Sequence, residues 1–89
     1  MKKYFDLKII TPNEVFFEGQ IISLNCETTE GRYGILVDHC ATIAGVVPTI
    51  TSFTDKDSNS YSANTDRGIL KIRNNEVTIL CDSASWTNK

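Results

Sequence analysis

Residues 68–81 read GILKIRNNEVTILC, in which two strand-like runs flank Asn74 and Asn75. The runs follow the period-two alternation of apolar and polar side chains that a half-buried strand requires. Two asparagines tolerate the positive φ angles of a type I′ turn, so the pair favours a tight hairpin between residues 69–73 and 76–81. This stretch therefore predicts antiparallel β structure.

The same alternation recurs toward the N-terminus. In residues 5–9, which read FDLKI, apolar side chains point one way and charged ones the other. Residues 21–26 alternate again, and the pattern predicts that Ile22, Leu24 and Cys26 share one face. No window of about ten residues has the apolar spacing of an amphipathic helix.

Turn-forming residues divide the chain into many short runs rich in Val, Ile and Thr. This pattern predicts an all-β fold, a flattened β-sandwich or barrel of about eight to ten short, mostly antiparallel strands. With 89 residues, the chain is expected to form one domain over residues 1–84. Residues 85–89 are expected to be a short C-terminal tail, and the stretch 83–89 is expected to be frayed or to lead into a longer segment. Residues 60–64 are expected to be an edge strand.

Composition narrows the range of functions. A formal net charge of −2 argues against nucleic acid and against a polybasic membrane-surface binder. Asp6 and Lys8 interrupt the N-terminal region, so no apolar run reaches the length of a signal peptide or a spanning helix. The three cysteines include no Cys-x-x-Cys pair, which favours reduced structural thiols and a cytoplasmic protein.

One cluster invites a catalytic interpretation, namely Asp38-His39-Cys40. Adjacent residues on a strand point to opposite faces, so His39 and Cys40 are poorly arranged as a base and a nucleophile. A lone histidine in a loop more often makes a local contact or meets a partner protein. We therefore predict no catalytic residue.

Metal and nucleotide sites are not predicted either. Residues 55–59 read DKDSN and distantly resemble a calcium loop, but Ser60 and Asp66 stand where that loop needs glycine and glutamate. Residues 31–34 read GRYG without the helices and basic groove of an RNA-binding loop. A phosphate-binding loop is also missing, so no cofactor is expected.

Three segments together carry a family resemblance. Residues 30–36 read EGRYGIL and are followed by Asp38-His39, which resembles the signature Glu-Gly-x-Leu-Gly loop and Gly-His of ATP synthase epsilon subunits. Residues 68–84 resemble that family's strand, Asn-containing turn and Val-Thr-Val-Leu-Ala-Asp segment. Residues 7–19 resemble its opening strand and Phe-x-Gly. The three segments lie in the family's order and cover nearly the whole chain.

The chain departs from the family pattern in the central loop. Val37 stands where the family has proline, Asp38 where it has glycine, and Ala41 where it has a second proline. Most members also continue into a C-terminal helical hairpin that does not follow in these 89 residues.

The resemblance implies a non-catalytic central-stalk (rotor) subunit of a proton- or sodium-translocating F-type ATP synthase. In that family the sandwich links the gamma subunit to the polar loops of the c-ring and so couples ion flow to ATP synthesis. It implies a peripheral location on the cytoplasmic face of the bacterial plasma membrane, with membrane contact only through the complex. A second interpretation is a generic β-sandwich interaction module of another assembly.

The resemblance also assigns contact residues. On the c-ring side these are Glu30, Arg32 and Tyr33. On the gamma side they are Thr11, His39 and Ile43.

Overall fold

The alternating runs form nine β-strands in the computed structural model, which describes residues 3–87. In chain order the strands are β1 (Phe5–Thr11), β2 (Glu14–Thr28), β3 (Gly31–Leu36), β4 (Thr42–Val46), β5 (Thr49–Asp55), β6 (Ser60–Thr65), β7 (Gly68–Arg73), β8 (Glu76–Cys81) and β9 (Ala84–Trp86). All pairs are antiparallel except β1 with β8. The predicted all-β fold class is therefore confirmed. Residues 3–87 hold no helix that is long and apolar enough to cross a membrane.

The long strand β2 belongs to two layers. Its first half pairs with β1, which continues through β8 and β7 to β4, and we call these strands the first layer. Its second half pairs with β3 on one edge and β5 on the other, followed by β6 and β9, and we call these the second layer. The end of β2 also meets β4, where Thr28 is opposite Val46. The two layers therefore share one continuous strand.

Two irregularities interrupt the pairing of β2, one against β1 and one against β5. Against β5, Ile21 is opposite Asp55 and Ser23 is opposite Thr54, so Ile22 is an extra residue of the kind found in a β-bulge. An extra residue shifts the alternation by one position. The buried side chains are consequently Ile21, Leu24 and Cys26, whereas Ile22 is half-buried. The prediction that Ile22 shares the core face is wrong for this reason.

The core draws apolar side chains from both layers into one cluster. Phe5, Leu7 and Ile9 are buried, as their alternation along β1 predicted. The hairpin between β7 and β8 is also confirmed, because Asn74 and Asn75 have φ angles of 52° and 60°. Both values lie in the left-handed region that a type I′ turn requires.

The end of the described chain is better ordered than expected. Ala84–Trp86 forms β9 and pairs with β6, so β6 is not an edge strand. The Trp86 ring lies 4.5 Å from the Phe16 ring, centroid to centroid, and this aromatic contact adds to the strand pairing. The expectation of a frayed tail is therefore wrong for residues 84–86. Residues 88–89 lie outside the described residues, and the division of the chain at residue 84 stays a prediction.

Candidate partner-binding site

An apolar row crosses the outer face of the first layer. Ile69 is opposite Leu80, Leu80 is opposite Ile10, and Ile10 is opposite Val15 in the strand register. Cross-strand partners point to the same face, so these four side chains lie side by side across β7, β8, β1 and β2. Ile69, Leu80 and Val15 are 49%, 46% and 52% exposed. We call these four residues the apolar row.

Ile43 extends the same surface onto β4. It is opposite Lys71, two residues along β7 from Ile69, and it is 74% exposed. Scattered surface apolar residues need no explanation, but a contiguous exposed set marks an interaction site. The apolar row and Ile43 together form the candidate site.

The predicted gamma-side residues lie at three different places relative to this face. Thr11 directly follows Ile10 at the end of β1, so its side chain points away from the face of the apolar row, and its hydroxyl donates a 3.3 Å hydrogen bond to the Glu14 carbonyl oxygen. Ile43 lies on the face itself. His39 precedes β4 at the opposite end of the sheet from Thr11. The structure therefore puts Ile43 on this face, Thr11 on the opposite face of β1 and His39 at the far edge of the sheet.

The predicted c-ring residues lie in and beside the β2–β3 turn. Within the turn, the Thr28 hydroxyl donates to the Gly31 carbonyl oxygen at 2.8 Å and accepts from the Glu30 amide at 3.1 Å. Gly31 has a φ of 113°, which favours glycine. Glu30 is thereby held in a fixed, exposed position at the tip of the turn.

The other two c-ring residues differ in environment. The exposed Arg32 guanidinium lies 3.3 Å from its cross-strand neighbour, the Glu27 carboxylate. Tyr33 is half-buried and packs against the core cluster. Its ring centroid lies 6.2 Å from that of His39. Residues predicted for two different partners therefore meet at the Tyr33–His39 contact.

The β3–β4 loop, residues 37–41, is fastened to the β7–β8 hairpin. The Asp38 amide donates to Asn75 Oδ1 at 2.7 Å, and Asn75 Nδ2 donates to Asp38 Oδ1 at 2.8 Å. Asp38 itself has a φ of 66°. The Asn75 carbonyl oxygen also accepts from the Asp6 amide at 3.0 Å. We call the reciprocal contact the Asp38–Asn75 pair.

The suspected catalytic cluster lies in the β3–β4 loop, and the other two cysteines are buried. His39 and Cys40 lie in the loop and not on a strand, which corrects the assumption about their orientation. His39 Nδ1 lies 2.9 Å from the carbonyl oxygen of Cys40. Burial raises the pKa of the Cys26 thiol to about 11 and also raises the pKa of Cys81. Thiols with such raised pKa values are poor nucleophiles near neutral pH.

In the acidic loop between β5 and β6, neighbouring groups donate hydrogen bonds to the Asp55 carboxylate. Asp55 accepts hydrogen bonds from the amides of Asp57 and Asn59 and from the Tyr61 hydroxyl. The bond from the Asn59 amide is the largest cause that lowers the pKa of Asp55. Across residues 3–87 no three His, Cys, Asp or Glu side chains converge as metal ligands. The loop is therefore a hydrogen-bonded turn.

Sequence reasoning missed the apolar row and the role of Asn75. The available signal was the pair of adjacent apolar residues in Ile9-Ile10 and in Ile79-Leu80, where strict alternation calls for a polar second residue. Such a doublet indicates a strand that is apolar on both faces.

Two layers of short strands around one core define a β-sandwich, and its first layer carries exposed apolar side chains on the outer face. The family model described as ATP synthase, Delta/Epsilon chain, beta-sandwich domain matches residues 4–87. The chain therefore belongs to the delta/epsilon β-sandwich family of ATP synthase.

Individual relatives agree with this assignment. The ATP synthase epsilon chain of Clostridium novyi is 45% identical over 86 residues, which cover 97% of this chain and 66% of the relative. The ATP synthase epsilon chain of Clostridium perfringens is 34% identical over 82 residues, covering 92% of this chain and 62% of the relative. The chain thus spans a little less than two thirds of the length of these curated relatives.

Solved structures show the same fold at low identity. A chain of the Euglena gracilis mitochondrial ATP synthase, in a structure of OSCP, F1 and c-ring, superposes with a TM-score of 0.90 at 17% identity. The match covers 97% of this chain and 55% of that one. A chain of the Tetrahymena thermophila mitochondrial ATP synthase central stalk and c-ring gives a TM-score of 0.76 at 15% identity, covering 94% and 66%.

Proposed function

We propose that the chain is a non-catalytic rotor subunit of an F-type ATP synthase, which links the gamma subunit to the c-ring. In this role it couples proton or sodium flow to ATP synthesis. The proposal rests on family membership together with an outer face suited to a protein partner.

The observation that carries the gamma contact is the apolar row with Ile43 beside it. Covering apolar surface stabilises a complex by about 25 cal/mol per Å² removed from water, before the costs of association. Side chains about half exposed in a free subunit leave this gain available to a partner. The gamma subunit is the partner that the family assignment favours for this face.

The β2–β3 turn is the proposed contact with the c-ring. Its backbone is fixed by Thr28, and it presents Glu30 and Arg32 to solvent. An exposed ion pair such as Arg32 with Glu27 contributes only about 0–1 kcal/mol, so it exchanges partners at little cost. Such a turn suits the polar loops of a c-ring. The subunit then meets the membrane only through the ring, on the cytoplasmic face of the bacterial plasma membrane.

Gel filtration of the chain mixed with the cognate gamma subunit tests the proposal. A stable complex at micromolar concentrations is the expected result, and ATP hydrolysis by the purified chain alone is not expected. Separate elution of the two proteins would refute the rotor assignment. Hydrolysis that follows the chain through purification would refute the non-catalytic assignment.

A further inference from the structure

The Asp38–Asn75 pair joins three segments that are distant in sequence. Its two side-chain hydrogen bonds connect the β3–β4 loop to the tip of the β7–β8 hairpin, 37 residues away. The Asn75 carbonyl oxygen adds the start of β1 through the Asp6 amide. One asparagine therefore fixes the loop relative to the first layer.

The loop needs such a fastening because of its backbone. Asp38 has a φ of 66°, in a region that L-residues other than glycine seldom adopt. Glycine reaches that conformation without steric cost, whereas an aspartate needs a compensating contact. In this chain the aspartate side chain accepts a hydrogen bond from Asn75 Nδ2 at 2.8 Å, and the contact favours the bent loop.

The fastened loop adjoins the proposed contact surfaces. It carries His39, whose ring lies 6.2 Å from that of Tyr33, and it leads directly into β4 and Ile43. A loop that is ordered before binding spares the complex the entropy cost of ordering it. The order of this loop therefore affects how tightly a partner binds.

We propose that Asp38 and Asn75 are a positioning pair, which holds the β3–β4 loop in its bound conformation before the partner arrives. This inference rests on the proposed function, because it takes the gamma subunit as the partner. The pair itself contacts the loop and the hairpin, and its effect on binding is exerted through the loop.

The first measurement uses the isolated chain. Asn75→Gly removes the side chain but keeps a turn sequence, Asn-Gly, that favours type I′ hairpins. Asn74→Gly is the matched control, because it alters the same turn and leaves the pair intact. We expect amide hydrogen exchange at Asp38 to accelerate about tenfold in Asn75→Gly through local opening of the loop. The melting temperature of both variants should stay near that of the wild type. In Asn74→Gly, amide exchange at Asp38 should also stay near the wild-type rate.

The second measurement is the dissociation constant for the cognate gamma subunit, obtained by calorimetry. Asn75→Gly should weaken binding about tenfold, which corresponds to about 1.4 kcal/mol. Asp38→Asn keeps an oxygen that accepts from Asn75 and should bind like the wild type. The double variant Asp38→Gly with Asn75→Gly should bind gamma no more weakly than Asn75→Gly alone, because the two changes remove the same interaction.

The possible failures are distinct. Unchanged exchange at Asp38 in Asn75→Gly would show that the pair does not hold the loop and would overturn the inference. Faster exchange with unchanged affinity for gamma would show that the held loop does not serve binding, and it would overturn the inference while leaving the proposed function intact. No binding of gamma by the wild type would overturn the proposed function and, with it, the positioning role.

Discussion

Replacing Ile43 by aspartate tests the proposed gamma surface most directly. Ile43 is 74% exposed on β4, so the change removes little core packing. The new carboxylate is opposite Lys71, and a cross-strand pair of opposite charges contributes about 0.2–1 kcal/mol. That gain offsets part of the lower strand preference of aspartate, which spans up to about 1 kcal/mol. The free variant should therefore fold with nearly wild-type stability.

The loss on binding should be much larger. Complete burial of an isoleucine side chain is worth about 1.5–3 kcal/mol, so covering the exposed three quarters gives about 1–2 kcal/mol. A carboxylate enclosed without a partner adds a desolvation penalty of several kcal/mol, reduced by any water that stays at the rim. A total of about 3 kcal/mol or more corresponds to roughly a hundredfold weaker complex.

The assay is calorimetric titration of the gamma subunit into each variant, with melting curves of the free proteins. Ile50→Asp is the matched control, since Ile50 is 50% exposed on β5 and lies on the outer face of the second layer. We expect Ile43→Asp to lose at least about a hundredfold in affinity and Ile50→Asp to bind normally. Equal affinities for Ile43→Asp and the wild type would refute the assignment of this face, and so would an equal loss for Ile50→Asp.

Three further predictions concern the turn, the last strand and the thiols. Arg32→Glu should lower the melting temperature by only a few degrees, because an exposed ion pair is worth about 0–1 kcal/mol. The same change should reduce retention of the chain on c-ring preparations. A large loss of stability would show that Arg32 is a structural residue. Trp86→Ala should lower the free energy of unfolding in urea by about 1.5–2.5 kcal/mol, half the usual cost for a core aromatic, since the ring packs on Phe16 but is about half exposed. A loss below about 0.5 kcal/mol would mean that β9 is not docked in solution. At pH 8 one thiol, Cys40, should react rapidly with a disulfide reagent while the other two, both buried and of raised pKa, react only after unfolding; a second rapid thiol in the folded chain would contradict the buried sites.

Local chemistry made part of this fold predictable. Asn74 and Asn75 identified their turn because the left-handed backbone preference belongs to the residues themselves. The alternation of residues 5–9 likewise fixed the face of β1. The position of Ile22 was not predictable, because a bulge depends on the register of β2 against β5. The docking of Trp86 depends on rings from several strands and leaves no local signal.

The candidate site also has a part that the sequence could predict and a part that it could not. Thr11 and Ile43 were predicted as gamma contacts through a family resemblance, which carries positions but not orientations. The apolar row depends on register, since Ile10 meets Val15 only because Ile9 is opposite Phe17 and an extra residue, Phe16, intervenes. No pattern within β1 or β2 alone contains that pairing.

The continuity of β2 has a mechanical consequence for a rotating assembly. The strand carries Val15 of the apolar row near its start and ends at Thr28, two residues before Glu30 at the turn tip. At about 3.3 Å per residue its 15 residues have a contour length of about 50 Å, more than the 33 Å longest extent of the molecule, so it bends from one layer into the other. Under the proposed arrangement, torque entering at the gamma surface reaches the c-ring turn along an unbroken covalent backbone. Sliding one layer over the other would break strand pairing of β2 in at least one layer, so in that arrangement we expect the sandwich to transmit twist as one unit.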